Sequence, residues 1–582
     1  LFLFSLILAL IRDLIKITYM KKEIQKLMKL AIQSALGVDF AMEKIKIDYP
    51  PEGMGDFSSN VALLLAKEVG KSPMEVAEEI AEACRGLTST EVEKIDVAKP
   101  GFLNFWLAGK TIQNVVEEIN KKGSEFGNLE KKKEKTMVEY SQPNTHKEFH
   151  IGHLRNVFIG NALVNVLKKA GGDVIAANYI GDTGTHIAKC LWGLVKFHPG
   201  EDFSKIENKT EFLGKVYSEA VQKIESDEKY KDEFKKIQKK LEDGDEEIVK
   251  LWKETRQWSL DEFEAIYKEL GISFDKIFFE SEEEIAGKKM LPDLLEKGVA
   301  KKSQGAVIAD LEEYSLGVLV LERGDGSALY GLKDIPLAIE KFEKYRIDSS
   351  VIVADVRQSL YFRQIFKILE QMGFKKKMAH IGYEFVALKG GESMSSRKGN
   401  VVPAQYLIAE VANEVKRKFP ETDIFSEIGL GAVKFFMLKY SSGTKIDFDI
   451  NESVKLEGAT GPYVQYAHAR IASILKKAGE LKMEVRPPQW RSNLHEKERA
   501  LIFELLKFPD LVEDISKNYA VHYLPQYAIG LADKFHSFYA ECKVIDEEDL
   551  ERTAARLELV KAVQIVLAEV LRLMGISAPE HM

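Results

Sequence analysis

A chain of 582 residues has room for roughly four domains of about 150 residues each. Its 45% apolar and 30% charged residues are those of an ordinary folded protein and argue against disordered or collagen-like chains, while a formal charge of −8 does not favour a dedicated phosphate binder and does not exclude nucleic acid. Cys84, Cys190 and Cys542 are the only cysteines and have no C-x-x-C spacing, so neither a disulfide framework nor a structural zinc is expected, which fits a reducing, cytoplasmic setting.

The first nineteen residues, LFLFSLILALIRDLIKITY, form an apolar run broken at Arg12, Asp13 and Lys16, too short to span a bilayer. They have no basic leader or small-residue cleavage site, so Met20 reads as the start and 1–19 as an upstream extension. A tethering helix or an ordinary buried helix are the alternatives. A small domain is expected over 20–130, with a helix at 20–35, a polar Gly-rich passage at 51–60 and two further helical patterns. Alternating apolar residues over 92–107 read as strands around a Pro100-Gly101 turn. The charged, aperiodic stretch 121–135 marks a domain boundary; its lysines and those of 375–377 read most simply as solvated faces.

From 131 to 455 the pattern is α/β. Strand 136–141 precedes a helix carrying Leu154, Val157, Phe158, Leu163 and Leu167 at helical spacing; Gly171-Gly172 ends it, and 174–182 is the next strand. A second strand–helix–strand unit is expected at 351–356, 359–372 and 379–388, with a charged helical insertion over about 200–300. These are the two halves of a doubly wound parallel sheet, which takes its ligand at the carboxyl ends of the strands. Residues 456–582 carry long amphipathic helical patterns and predict a helical bundle.

The chemistry concentrates in two segments. His150 and His153, with Gly152 between them, stand where the first strand turns into a helix, an end that attracts phosphate through its backbone N–H groups. Two histidines at a helix start can equally be structural. The second segment, ALKGGESMSSRKGNVV at 387–402, presents Arg397 and Lys398 among glycines and hydroxyls, suited to stabilising charge on a transferring phosphorus. Neither has the spacing of a P-loop.

HIGH at 150–153 and MSSRKGN at 394–400 resemble the two signatures of class I aminoacyl-tRNA synthetases, the latter a degenerate KMSKS loop. SQPNTHKEFHIGHLRN, NYIGDTGTHIAK, DGSALYGLKDI, GPYVQYAHAR and the ending GISAPEHM are similar to the arginyl-tRNA synthetase family from about Met20 to Met582. The resemblance implies a Rossmann-like parallel-sheet catalytic domain with insertions (131–455), an N-terminal α+β module meeting the tRNA elbow (20–130) and a helical anticodon-binding domain (456–582). It implies activation of L-arginine by ATP with Mg2+ and transfer to tRNA-Arg, by a monomer without membrane attachment. His150 and His153 would contact the phosphates and Gly152 would lie beneath the adenine. Met394 and Ser395 would also bind ATP, while Arg397 and Lys398 would hold the pyrophosphate side. Ser396 replaces the second lysine of many class I loops, and Lys147 stands where a compensating lysine is expected.

A guanidinium seeks a planar carboxylate, and Asp334, one helical turn after Tyr330, is a candidate on physical grounds. The resemblance adds Tyr330 as its companion, Asn144 and Gln358 near the substrate amino group, and Glu139 at the pocket; Glu280 is a further carboxylate in a poorly matching context. Each acid taken alone would read as a surface ion pair. Tyr463, Tyr466, Arg470 and Met582 fall on family positions near the anticodon loop, and Phe57, Asn60 and Phe102 in the elbow module. Rival readings are a cysteinyl enzyme, which would bring zinc ligands, a glutamyl enzyme, whose pocket would be cationic, a nucleotidyltransferase without the bundle, and a noncatalytic tRNA binder.

Overall fold

The computed structural model describes residues 20–51, 53–87, 92–390, 402–480 and 494–582. The segment 1–19 and Met394, Ser395, Ser396, Arg397 and Lys398 lie outside the described residues.

Apolar residues at helical spacing build the N-terminal module. Helix α1 (Met20–Leu36) buries Met20, Ile24, Met28, Ala31 and Ile32; α2 (Val61–Val69) ends at Gly70 in the left-handed conformation; α3 (Pro73–Leu87) buries Val76, Ala77, Ile80, Ala81 and Cys84. They accompany an antiparallel sheet of β1 (Phe57–Ser59), β2 (Val92–Ala98) and β3 (Phe102–Leu107), with β3 in the middle. Helix α4 (Gly109–Lys122) leads to the catalytic part.

There β4 (Lys135–Glu139), α5 (Ile151–Lys169) and β5 (Asp173–Ile180) form a parallel βαβ unit. Gly160 lets α5 lie on β4, since a Cβ there would sit 2.2 Å from the Tyr140 ring. Four helices follow: α6 (Thr185–Phe197), α7 (Lys209–Ser226), α8 (Glu228–Glu242) and α9 (Glu246–Glu269). They are succeeded by β6 (Lys276–Phe279) and α10 (Glu280–Glu296). A small antiparallel sheet of β7 (Lys301–Ser303), β8 (Ala306–Asp310) and β9 (Val318–Glu322) precedes α11 (Tyr330–Tyr345). Next come β10 (Ser349–Asp355), α12 (Ser359–Gln371) and β11 (Lys377–Tyr383). The main sheet runs β11-β10-β4-β5-β6, parallel throughout, so the chain order reverses between β4 and β10 and opens a crevice at their carboxyl ends.

Two expectations are corrected. The apolar run 379–388 is not one strand: β11 stops at Tyr383, and β12 (Val386–Leu388) pairs instead with β13 (Ile446–Phe448). The fully buried Arg155 captures the Glu384 carbonyl together with those of Ser441 (2.9 Å) and Thr444 (2.8 Å), which turns the chain out of the sheet. The charged 200–300 region also contributes β6 to the main sheet, a four-residue strand too short for periodicity to reveal.

Helices α13 (Ala404–Lys418) and α14 (Phe425–Leu438) lead to the bundle. It comprises α15 (Gly461–Glu480), α16 (Glu496–Leu506), α17 (Phe508–Asn518), α18 (Tyr523–Glu541) and α19 (Leu550–Leu573). The N-terminal module shares a core with it. Tyr49 and Phe57 pack on Phe503 with ring centroids 5.5 and 5.8 Å away, Tyr49 donates to Asp510, and Asp56 pairs with Arg499. A buried Lys169–Glu569 pair at 2.9 Å joins α5 to α19. Among the described residues no helix is long and apolar enough to cross a membrane.

Candidate active site

The segment leaving β4 is held in a conformation that ordinary turns avoid. Ser141, Gln142 and His146 have φ of 81°, 49° and 61°. Neighbours hold them there: Ser141 N–H donates to Asn156 Oδ1 (2.6 Å), Ser141 Oγ meets Tyr267 Oη (2.7 Å), and His146 N–H donates to Ser259 Oγ (3.0 Å). The His146 ring lies 2.7 Å from Thr255 Oγ1, and burial lowers its pKa to about 3. Asn156 also donates to Val353 O of β10 at 2.9 Å, so one amide spans the crevice.

This platform delivers the histidine turn. His150 caps α5, its Nδ1 accepting from Gly152 N–H (3.1 Å), and His153 Nδ1 accepts from His150 N–H (3.1 Å). The rings stack with centroids 3.8 Å apart. Both Nδ1 atoms being acceptors, each neutral ring carries its proton on Nε2. Burial, with the nearby Lys147 ammonium, lowers His150 to about 4; burial, with His150 and then Lys147, holds His153 well below the usual range. A Cβ on Gly152 would come within 3.0 Å of the His150 ring. The segment after the second motif is fastened to the same turn: Ile151 N–H donates to Val402 O (3.1 Å) and Ala404 N–H to Phe149 O (2.9 Å).

Across the switch point lies a cluster of carboxylates, Glu139, Glu280 and Asp334, with Lys333 and Lys341 among them. Tyr330 opens α11 and Asp334 follows one turn later, Tyr330 60% exposed and Asp334 accepting from Tyr361 Oη at 2.5 Å. Burial raises the Asp334 carboxyl to about 7, with further upward pressure from Glu139 and Glu280. Glu139 pairs with the buried Lys341 and accepts from Gln142 Nε2 at 2.9 Å. Glu280, raised by burial, lies 3.5 Å from Lys333 and accepts from Thr183. Asn144 bridges Gly181 beside β5, and the exposed Gln358 follows β10. The buried Tyr179 hydroxyl has no hydrogen-bond partner among the described residues, in the field of Asp334 and Glu280.

On the bundle, Tyr463, Tyr466 and Arg470 share one face of α15. Tyr463 donates to Asp533 (2.5 Å), Tyr466 stacks near His536 (6.4 Å), and Arg470 lies 4.4 Å from the Tyr539 ring centre. Met582 packs half-buried at the chain end. In the N-terminal module Phe102 is exposed at the start of β3 and Asn60 precedes α2 at its N-cap position without a side-chain capping bond. The expected tRNA role of Phe57 is corrected. Its ring is fully buried between Tyr49 and Phe503, leaving no face for a base.

A family model described as tRNA synthetases class I (R), catalytic domain, matches residues 112–429. The arginyl tRNA synthetase N terminal domain matches 22–107 and the DALR anticodon binding domain 464–582. The arginine–tRNA ligase of Bdellovibrio bacteriovorus is 36% identical over 93% of this chain and 94% of its own length. The chain belongs to the arginyl-tRNA synthetase family. The Pediococcus pentosaceus arginine–tRNA ligase is 33% identical over 92% of this chain and 95% of its own. The Thermus thermophilus arginyl-tRNA synthetase structure superposes with a TM-score of 0.80 at 27% identity, covering 96% of this chain and 99% of that one.

Several residues of this synthetase's cleft escaped sequence reasoning. Lys341 stands seven residues after Asp334, two turns along the same face, so helical periodicity alone could have flagged it. Tyr179, at the carboxyl end of β5, had its strand position as a signal. Tyr361 and His146 had none, because their partners lie 27 and 109 residues away. Lys341→Met is expected to strand the buried Glu139 charge and destabilise the catalytic part by about 3–5 kcal/mol. An earlier urea transition would register it, and adding Glu139→Gln should recover most of the loss.

Proposed function

We propose that the crevice between β4 and β10 is where this synthetase activates arginine and passes it to tRNA-Arg. The family reaction is ATP-dependent: the arginine carboxylate attacks the α-phosphorus, pyrophosphate leaves, and a terminal adenosine hydroxyl of the tRNA then displaces AMP from the arginyl-adenylate. The observation that carries the site assignment is Asp334, a half-buried carboxyl that accepts from Tyr361 Oη, with Glu139 and Glu280 close enough to act on it. The Lys341 ammonium, whose charge reaches Asp334, is itself paired with Glu139, which leaves Asp334 to take a guanidinium in bidentate geometry.

Within this reading Asp334 and Tyr330 receive the guanidinium, with Glu139 and Glu280 adding negative field. Asn144 and Gln358 serve the amino end of the substrate. His150 and His153, neutral with Nε2–H free to donate, hydrogen-bond the phosphates as charge moves onto them. Lys147 adds the full positive charge on that side, and Gly152 keeps the approach to the turn clear. The nucleotide enters as its magnesium complex, a substrate. The sequence resemblance extends the phosphate site to Met394, Ser395, Arg397 and Lys398, and the tRNA contacts to Asn60, Phe102, Tyr463, Tyr466, Arg470 and Met582. We take the working unit to be a cytoplasmic monomer.

Charging assays with each of the twenty amino acids and total tRNA test the reading: arginine alone should be esterified, and charging of another amino acid would overturn it. The pocket also has a pH signature. Because the free carboxyl titrates near 7, arginine binding below that pH must expel a proton, so affinity should fall roughly tenfold per unit there and level off above. Titration calorimetry in buffers of different ionisation heat should detect proton release at pH 6 and little at pH 8.

A further inference from the structure

Lys434 of α14 is a lysine in a place built for an apolar side chain. It is 4% exposed, and burial lowers its pKa to about 8. Among the described residues no carboxylate pairs with it. Its ammonium instead donates to two backbone carbonyls: Leu270, the carboxyl-terminal cap of α9, at 2.8 Å, and Gly575, just beyond α19. A buried ammonium without a counter-charge costs stability that methionine would not, so its effect must lie in the two segments it ties together.

Each segment leads to a different functional region. Upstream of Leu270, α9 supplies Tyr267 to Ser141, Ser259 to the His146 N–H and Thr255 to the His146 ring, the bonds that hold the strained platform before His150. Downstream of Gly575, the chain end is gripped by α15: Gln465 Nε2 donates to Ser577 O (3.2 Å), and His468 Nδ1 lies 2.8 Å from Pro579 O. Gln465 and His468 are on the face of α15 opposite Tyr463, Tyr466 and Arg470. Gly575 has φ 69°, and a Cβ there would stand 2.9 Å from Asn161 Nδ2 of α5, so the tail is held tightly at the junction.

We propose that Lys434 is a positioning residue that transmits the placement of α15 and the chain end to the platform of the histidine turn, coupling anticodon engagement to the rate of arginylation. This rests on the functional reading above. The route is an unbroken series of contacts, and a coupling energy between its ends is what must be measured.

The test uses the full chain with tRNA-Arg transcript, comparing wild type, Lys434→Met, Arg470→Ala and the double variant. Lys434→Met keeps side-chain length and apolar packing. It should lower kcat for arginylation at least tenfold with arginine KM within twofold of wild type, and arginine should still raise its Tm. Arg470→Ala should also lower kcat, and the double variant should fall no further than Lys434→Met alone, because both interrupt one route. A Lys434→Met kcat within twofold of wild type, or losses that multiply in the double variant, overturns the proposal. Should Lys434→Met not fold, Gln465→Ala cuts the same route at the tail and is judged by the same criteria. A wild-type chain that charges no tRNA with arginine overturns the functional reading itself and this inference with it.

Discussion

Asp334→Asn is expected to raise the arginine KM about a hundredfold, the loss of roughly 3 kcal/mol from a charged, desolvated hydrogen-bonded pair. The same substitution should raise the Tm of the ligand-free protein at pH 8. The sign follows from the raised pKa: a group that ionises near 7 when folded and near 3.8 when unfolded weakens the fold progressively as pH rises between those values. Asparagine removes that penalty and still accepts from Tyr361. A stabilised enzyme with a ruined substrate affinity is the pattern of a carboxylate kept for binding. An unchanged KM would show that the guanidinium sits elsewhere.

His150→Ala is the second large effect. Loss of a hydrogen-bond donor to the reacting phosphates is expected to lower kcat by about 10²–10³ with arginine KM preserved, whereas losing the helix cap costs only about 1 kcal/mol of stability. The kinetic effect therefore exceeds the structural one and survives comparison at equal folded fraction. Because His150 is held near pKa 4, and His153 well below its usual range, neither ring titrates between pH 6 and 8. Single-turnover adenylate formation at saturating arginine should show no histidine inflection in that interval. An inflection would mean that a ring carries a charge in the working site.

The parts of the fold that were legible from sequence are those whose periodicity is local. Leu154, Val157, Phe158, Leu163 and Leu167 announced α5 because one helix face repeats over several turns, and Gly171 marked its end through a positive φ of 82°. The pairing of the short β6 with β5, the break at Glu384 and the covered ring of Phe57 were decided by partners far along the chain, β5 about a hundred residues from β6, the Arg155 guanidinium and the Phe503 ring. In the site, His150, His153 and Asp334 stood out by residue type and spacing. Their electrostatic state did not, since burial is set by the whole fold and Tyr361, Glu139 and Glu280 converge on Asp334 only through the topology of the sheet.

The joint between the chain's two ends bears on how it is made. Tyr49 must wait for Asp510, 461 residues later, to emerge. At ordinary elongation speeds that is about 20–90 s of translation. Through that interval Phe57 lacks its cover from Phe503, leaving an adhesive apolar face on the nascent polypeptide. Biosynthesis of this protein should accordingly lean on holding chaperones, and deleting either the N-terminal module or the bundle should yield insoluble material rather than a smaller working enzyme.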